Sequence, residues 1–175
     1  MTNVLDVAKY ISQLYKQLFN EAIDEMKLHK LLYYSQRQCL TEFNKPLFND
    51  NFEAWAYGPV IPIVRNNLQE IISNKEKINF EEKDLVKDIV LQYAPIDSFE
   101  LSEMTHKETS WQNAHKGYGK YDRCNVAMSI SDIKNDGINN KDNELFASGI
   151  SNELKNVIDN AEIKLAQGEY EEFTF

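Results

Sequence analysis

The chain has 175 residues, of which 42% are hydrophobic and 27% are charged, and its net charge is −9. This length and composition are typical of a single globular domain with a real hydrophobic core. The acidic balance disfavours nucleic acid as a partner, because phosphate backbones need clustered Lys and Arg. It is compatible with attraction of a cationic partner or with simple solubility. Because no apolar run is long enough for a membrane span and no signal peptide is recognisable, we expect a cytoplasmic protein and no membrane partner.

Apolar residues at helical spacing predict two long helices at the start of the chain. The first covers about 4–19 with Asn3 as its N-cap, and the second covers about 24–41. The expected inner side of the second helix carries Met26, Leu28, Leu31, Leu32, Ser35 and Cys39. We expect its charged groups to stay in water, with His29 partly exposed on the surface.

The middle of the chain predicts a loop over 44–51 and then a short strand or extended segment that leads into a Gly58-Pro59 turn. Further helices are predicted at 62–72, at 81–93, after Ser98 as a cap, at 107–115 around Trp111, and from Ser129 or Ser131 to near Gly137. Residues 117–125 are predicted as loop. The expected fold class is therefore mainly α, a single compact helical domain with a short extended segment or hairpin around residues 52–60.

The last part of the chain is predicted to contain a polar connection over 135–144 and a long amphipathic helix over 145–166. An acidic and aromatic tail, 169–175, either frays or docks on a partner. We expect residues 1–135 to form the helical domain and residues 136–175 to form a C-terminal helix and tail packed on it.

A search for catalytic motifs predicts no enzyme, no catalytic residue, no metal site and no cofactor. The chain has three histidines, and none of them stands in a hydrolase or metal-binding motif. His106 with Glu103 or Glu108 could do acid–base work, but a histidine near a helix end more commonly makes local hydrogen bonds. Cys39 and Cys124 have no partner motif and are expected to be reduced thiols.

Three segments occur in a distinctive order. They are Lys27-Leu-His-Lys-Leu-Leu-Tyr-Tyr-Ser-Gln36, the run from Phe52 to Pro62, and Leu101-Ser102 with Thr105-His106 and Trp111, followed by 130–133. Together they resemble the signatures of the Panacea antitoxin domain, a family of SocA-like and phage-associated proteins formerly described as a domain of unknown function. The resemblance covers roughly residues 3–135.

The resemblance implies a mostly helical antitoxin that binds its cognate toxin, a protein encoded nearby, directly. The class of toxin does not transfer, because the family is paired with toxins of unrelated chemistries. Two alternatives stay open: a nucleic-acid-binding regulator built on the short helices around 101–114, and a proteolytic adaptor of a mobile genetic element. A homo-oligomer also stays open.

The candidate site residues fall into two sets. The residues expected to contact a partner are Tyr33, Trp55, Tyr57, Tyr170 and Phe173. The residues of the family motifs that are expected to determine the fold are Lys27, Leu28, Leu31, Tyr34, Ala54, Gly58, Pro59, Pro62, Thr105, His106 and Trp111.

Overall fold

A computed structural model describes residues 2–139, which form eight α-helices and one two-stranded antiparallel sheet. The helices are α1 Val4–Phe19, α2 Glu25–Phe43, α3 Pro62–Asn66, α4 Leu68–Ser73, α5 Lys83–Tyr93, α6 Ser98–His106, α7 Thr109–Ala114 and α8 Ile130–Asn139; the strands are β1 Glu53–Trp55 and β2 Gly58–Val60. The mainly α prediction is confirmed. None of the helices in this part of the chain is long and apolar enough to cross a membrane. The helix predicted over 145–166 and the tail with Tyr170 and Phe173 lie outside the described residues.

The first two helices begin where the sequence predicts them. The side chain of Asn3 accepts a hydrogen bond from the backbone N–H of Leu5 at 2.9 Å, and Asp24 accepts one from Lys27 at 2.9 Å. Such caps satisfy N–H groups that have no partner inside the helix. Each helix ends at an asparagine in the left-handed region, with φ of 53°.

Helix α2 is the central element of the fold, and the expectation that its polar side chains stay in water is wrong. It packs against α1, α5, α6, α8 and β2, so that every face is covered. His29 and Lys30 are both only 1% exposed, and Arg37 is 2% exposed. Each of the three makes at least one polar contact inside the protein: Arg37, for example, forms a buried ion pair with Glu108. A helix enclosed on all sides has no wet face for charged groups, so they must be paired.

The segment around residues 52–60 is a β-hairpin in which Glu53 pairs with Val60 and Trp55 pairs with Gly58. The turn lies at Ala56-Tyr57, two residues before the predicted Gly58-Pro59 turn. Residues 126–128 run beside β1, since the N–H groups of residues 54 and 128 donate to the carbonyls of residues 126 and 52. This third segment covers the outer edge of β1.

Three further boundaries differ from the prediction. The helix predicted over 62–72 is broken at Asn67, whose side chain donates to the carbonyl of Ile63 at 2.7 Å. Asp97 caps α6 in place of Ser98. Helix α8 continues past Gly137 to Asn139, the last described residue, and so includes the start of the predicted connection. Gly137 lies against Arg37 and Thr41 of α2 and lets the two helices approach closely. The domain division at 135/136 stays a prediction, although α8 runs across it.

Candidate partner-binding site

The three family segments meet at the hairpin, and the first of them holds strand β2. His29 on α2 accepts a hydrogen bond at Nδ1 from the backbone N–H of Ile61 at 3.3 Å. The Lys30 ammonium donates to the carbonyl of Pro59 at 3.3 Å. Two buried side chains of α2 therefore fix the backbone on both sides of Val60.

The third segment holds the other strand and the turn. Ser102 on α6 donates to the carbonyl of Tyr57 at 3.0 Å, and the Trp111 indole donates to the carbonyl of Trp55 at 3.1 Å. The ring of Trp111 lies between two imidazoles, 4.1 Å from His106 and 4.3 Å from His115. Stacking of this kind fixes the indole and so fixes the hairpin backbone that it binds.

Gly58 is the point at which the three segments touch. Its φ is +95°, and a Cβ atom built there would lie 2.5 Å from Oγ1 of Thr105 and 2.8 Å from Cε of Lys30. Both the backbone conformation and the space therefore require glycine. Because Lys30 and Thr105 both lie against residue 58, the first and third segments can approach the hairpin this closely only where it has a glycine.

Tyr57 at the tip of this rigid hairpin is exposed. Its side chain is 52% exposed and its ring centre lies 5.9 Å from the ring of Tyr121, which is 59% exposed. Trp55 is half-buried, with its indole N–H bonded to Glu53 and the Arg65 guanidinium 4.9 Å above its ring. We call Trp55, Tyr57 and Tyr121 the hairpin patch.

Beside the hairpin patch lies an open cavity of about 690 Å³. Its walls come from α2, the hairpin, α3 and the loop after α7, and its lining residues are Glu25, Met26, His29, Lys30, Trp55, Ala56, Tyr57, Val60, Arg65, Tyr121, Arg123 and Cys124. Three of these are basic side chains, two of them arginines, and one is acidic. The cavity is therefore locally cationic in a chain whose net charge is −9.

Burial controls the charge state at the floor of the cavity. It lowers the pKa of His29 to about 3, with the neighbouring charges of Lys30 and Arg65 acting in the same direction. It also lowers the pKa of Lys30 to about 7, against the opposing effect of Asp24 and Glu25. The His29 ring is therefore neutral, and because Nδ1 accepts a hydrogen bond, Nε2 carries the proton. That N–H has no hydrogen-bond partner among residues 2–139.

His106 occupies a structural position. Burial lowers its pKa, and Nδ1 lies 3.6 Å from a carboxylate oxygen of Glu103. That carboxylate also pairs with Lys120 at 2.7 Å. No group of three or more potential metal ligands is assembled in the part of the chain that the structure describes. The geometry of His106 fits a ring that packs on Trp111.

The predicted site residues are placed as follows. Tyr33 is completely buried, with its hydroxyl 3.0 Å from Ser110 Oγ and 3.3 Å from Asp136, so a partner cannot contact it on this surface. This removes Tyr33 from the candidates, whereas Trp55 and Tyr57 lie together at the hairpin patch. Of the motif residues expected to determine the fold, all are buried except the half-buried Pro62. Their structural role stays a prediction that this burial favours.

Sequence reasoning missed three residues of the site. Arg65 follows Pro62 by three positions on α3, and the helical spacing after that proline could have placed it beside the Gly-Pro corner. Tyr121 and Arg123 stand in a loop without periodicity, and no local signal places them next to a hairpin more than sixty residues away.

Comparison with known proteins supports the resemblance. The family model described as "Antitoxin SocA-like, Panacea domain" matches residues 28–112. Antitoxin SocA of Caulobacter vibrioides (strain NA1000 / CB15N) is 45% identical over 42 residues, which are 24% of this chain and 22% of that protein. No solved structure gives a significant match. These matches confirm the resemblance and support an antitoxin role in general.

Proposed function

We propose, from the match of residues 28–112 to the SocA-like Panacea domain, that this protein is an antitoxin that neutralises a toxin encoded nearby by binding it directly. The observation that carries the proposal is the position of the hairpin patch. Its two hairpin residues, Trp55 and Tyr57, lie inside the matched region and stand exposed or half-exposed on a backbone that buried motif residues hold. The proposal places the protein in the cytoplasm, where such a toxin is made.

The physical basis for binding is pre-organisation. Tyr and Trp supply large contact areas and are enriched among the residues that dominate interface energies. A surface that is already fixed loses little conformational entropy when a partner binds. Since the hairpin backbone is bonded from α2 on one side and from α6 and α7 on the other, the backbone that carries Tyr57 is fixed before a partner binds.

Co-expression with the neighbouring gene tests the proposal. Cells that express the neighbour alone should stop growing, and cells that also express this protein should form colonies at the level of an empty-vector strain. Co-purification of the two proteins through a tag on one of them should accompany the rescue. A neighbour that is harmless alone, or one that stays lethal in the presence of this protein, would refute the proposal.

The nucleic-acid-binding alternative has less support. The helices proposed for that role, α6 and α7, use Ser102, Thr105 and Trp111 to hold or pack against the hairpin. These side chains are buried and therefore cannot contact bases. A mobility-shift experiment with the protein's own promoter separates the two functions, because only a regulator would give a salt-sensitive complex.

A further inference from the structure

The cavity beside the hairpin patch combines positive charge with apolar walls. Arg65 and Arg123 are exposed residues of its lining, and Lys30 is a buried one. The ring of Trp55 and the rings of Tyr57 and Tyr121 form its aromatic walls. A ligand that fits such a site carries a negative group next to an apolar or aromatic body.

The donors of the cavity outnumber its acceptors. The Lys30 ammonium has three N–H donors, and the described residues supply one acceptor, the carbonyl of Pro59. The N–H at Nε2 of His29 has no acceptor within the same residues. Arg65 reaches Glu25 only at 3.4 Å, while its guanidinium stacks over Trp55. Buried donors without acceptors are costly, so an anionic acceptor would be favourable here.

We propose that this cavity receives a carboxylate of the bound toxin, an Asp or Glu side chain or the C-terminal carboxylate, carried next to an aromatic or aliphatic residue. The proposal rests on the proposed antitoxin function and names the chemistry of the contact. Arg65 and Arg123 hold the carboxylate at the mouth of the cavity, since guanidinium groups match carboxylate geometry. Lys30 adds positive potential when it is protonated, the neutral His29 ring adds an N–H donor, and the aromatic walls take the neighbouring side chain.

A carboxylate fits better than a nucleic-acid phosphate. A phosphodiester backbone presents charge along a line and needs cations spaced along a track. Here the cations converge on one concave site, while the chain as a whole has 28 acidic and 19 basic residues and repels a polyanion. A single carboxylate can enter the local field without meeting the repulsion that a long polyanion would meet.

The test uses the full-length, ¹⁵N-labelled protein and two capped peptides, acetyl-Phe-Glu-Phe-amide and acetyl-Phe-Gln-Phe-amide. The Glu peptide should shift the signals of the Trp55 indole and the Tyr57 amide with a saturable curve at millimolar concentration, and the Gln peptide should bind about tenfold more weakly. An Arg65→Gln, Arg123→Gln double variant should lose about tenfold in affinity for the Glu peptide. A Lys75→Gln, Lys77→Gln double variant, an equal loss of charge at two exposed loop sites, should change nothing.

Glu25→Gln supplies a variant that should gain affinity. Removing the internal carboxylate frees Arg65, so the Glu peptide should bind about threefold more tightly. A gain cannot be confused with partial unfolding, which could only weaken binding.

Several outcomes would overturn the proposal. They are equal binding of the two peptides, no binding at all, sodium acetate shifting the same signals as strongly as the Glu peptide, or an oligothymidylate competing at the same residues. Equal binding of the two peptides would mean that the cavity is an apolar groove. An equal effect of acetate would assign the cavity to a small carboxylate, and competition by the oligothymidylate would assign it to nucleic acid. Because this titration contains no toxin, a protein that binds the Glu peptide but fails to protect cells keeps the carboxylate site and loses the antitoxin function. A protein that protects cells but does not bind the Glu peptide would refute the carboxylate site and leave the antitoxin function standing.

Discussion

The carboxylate of Asp136 accepts a hydrogen bond from the backbone N–H of Ser110 at 2.9 Å and thereby caps helix α7 from a different helix, α8. The same carboxylate accepts from the N–H of Thr109 at 2.9 Å and from the Tyr33 hydroxyl at 3.3 Å. The residue at the usual capping position, Glu108, makes no such bond, because its side chain is paired with Arg37. Helix α8 lies outside the region matched by the family model and still completes the helix that holds Trp55.

Asp136→Ala should lower the free energy of unfolding by about 2–3 kcal/mol, since it removes a helix cap and a buried hydrogen bond to Tyr33. Urea denaturation followed by circular dichroism measures the change. Asp132→Ala on the same helix is the control. Among residues 2–139 its carboxylate accepts a hydrogen bond from the side chain of Asn113 alone, at the surface, so its removal should cost less than about 1 kcal/mol. Equal losses in the two variants would contradict the capping role.

Gly58→Ala tests whether the contact among the three family segments requires glycine. The new methyl carbon would lie 2.5 Å from Thr105 Oγ1, and the alanine backbone would have to keep a φ of +95°. We expect a loss of about 3 kcal/mol or more from steric overlap added to backbone strain. Gly117 has a similar φ of +93° but open space around it, so Gly117→Ala should show the strain alone, about 1 kcal/mol. Urea midpoints of the two variants that coincide would refute the steric part of the argument.

The sequence predicted what local rules determine. Asn3 as a cap and the apolar spacing of α1 give the start of the first helix, and apolar spacing places the start of the second to within a residue, because these interactions act within a few residues. The burial of His29 and Lys30 could not be predicted in this way. The rule that charged groups stay in water assumes a helix with one wet face, and α2 has none, because elements from later in the chain enclose it. The sequence signal that could have indicated this burial is that α2 has no continuous polar face along its length.

The candidate site shows the same division. Trp55 and Tyr57 were chosen because they stand in a recognisable segment, and they lie together at the hairpin patch, whereas Tyr33 was chosen by residue type and is buried. Asp136 and Arg123 act only through contacts across the fold, and no sequence spacing records such contacts.

The stability of the protein should depend on pH through Lys30. Burial lowers the pKa of Lys30 to about 7 in the folded protein, whereas in the unfolded chain the same group has its ordinary pKa of 10.5. Between these values the unfolded state binds more protons, so the contribution of Lys30 to stability rises with pH and is least favourable below 7. As the pH rises from 7 towards 10, the free energy of unfolding of wild type should therefore increase relative to that of Lys30→Met. The slope of this difference should approach about 1.4 kcal/mol per pH unit.

Urea denaturation of both proteins from about pH 6 to pH 10 measures this difference, and groups shared by the two proteins cancel in it. Lys75→Met, at an exposed loop position, should give a difference that does not vary with pH. A Lys30→Met difference that is also constant would show that Lys30 stays protonated throughout this range in the folded protein.

Tyr57→Ala should weaken toxin binding by about 2 kcal/mol or more, which is about a thirtyfold loss of affinity, and should reduce colony rescue in co-expression. The reason is that Tyr57 is a large exposed ring on a fixed backbone. Phe43→Ala is the matched control. Its ring is 47% exposed at the C-terminal end of α2, thirteen residues and so about 20 Å along the helix axis from Lys30. Titration calorimetry with purified toxin separates the two variants. If both bind the toxin as wild type does, the hairpin patch is not the interface, and the toxin must bind a different surface.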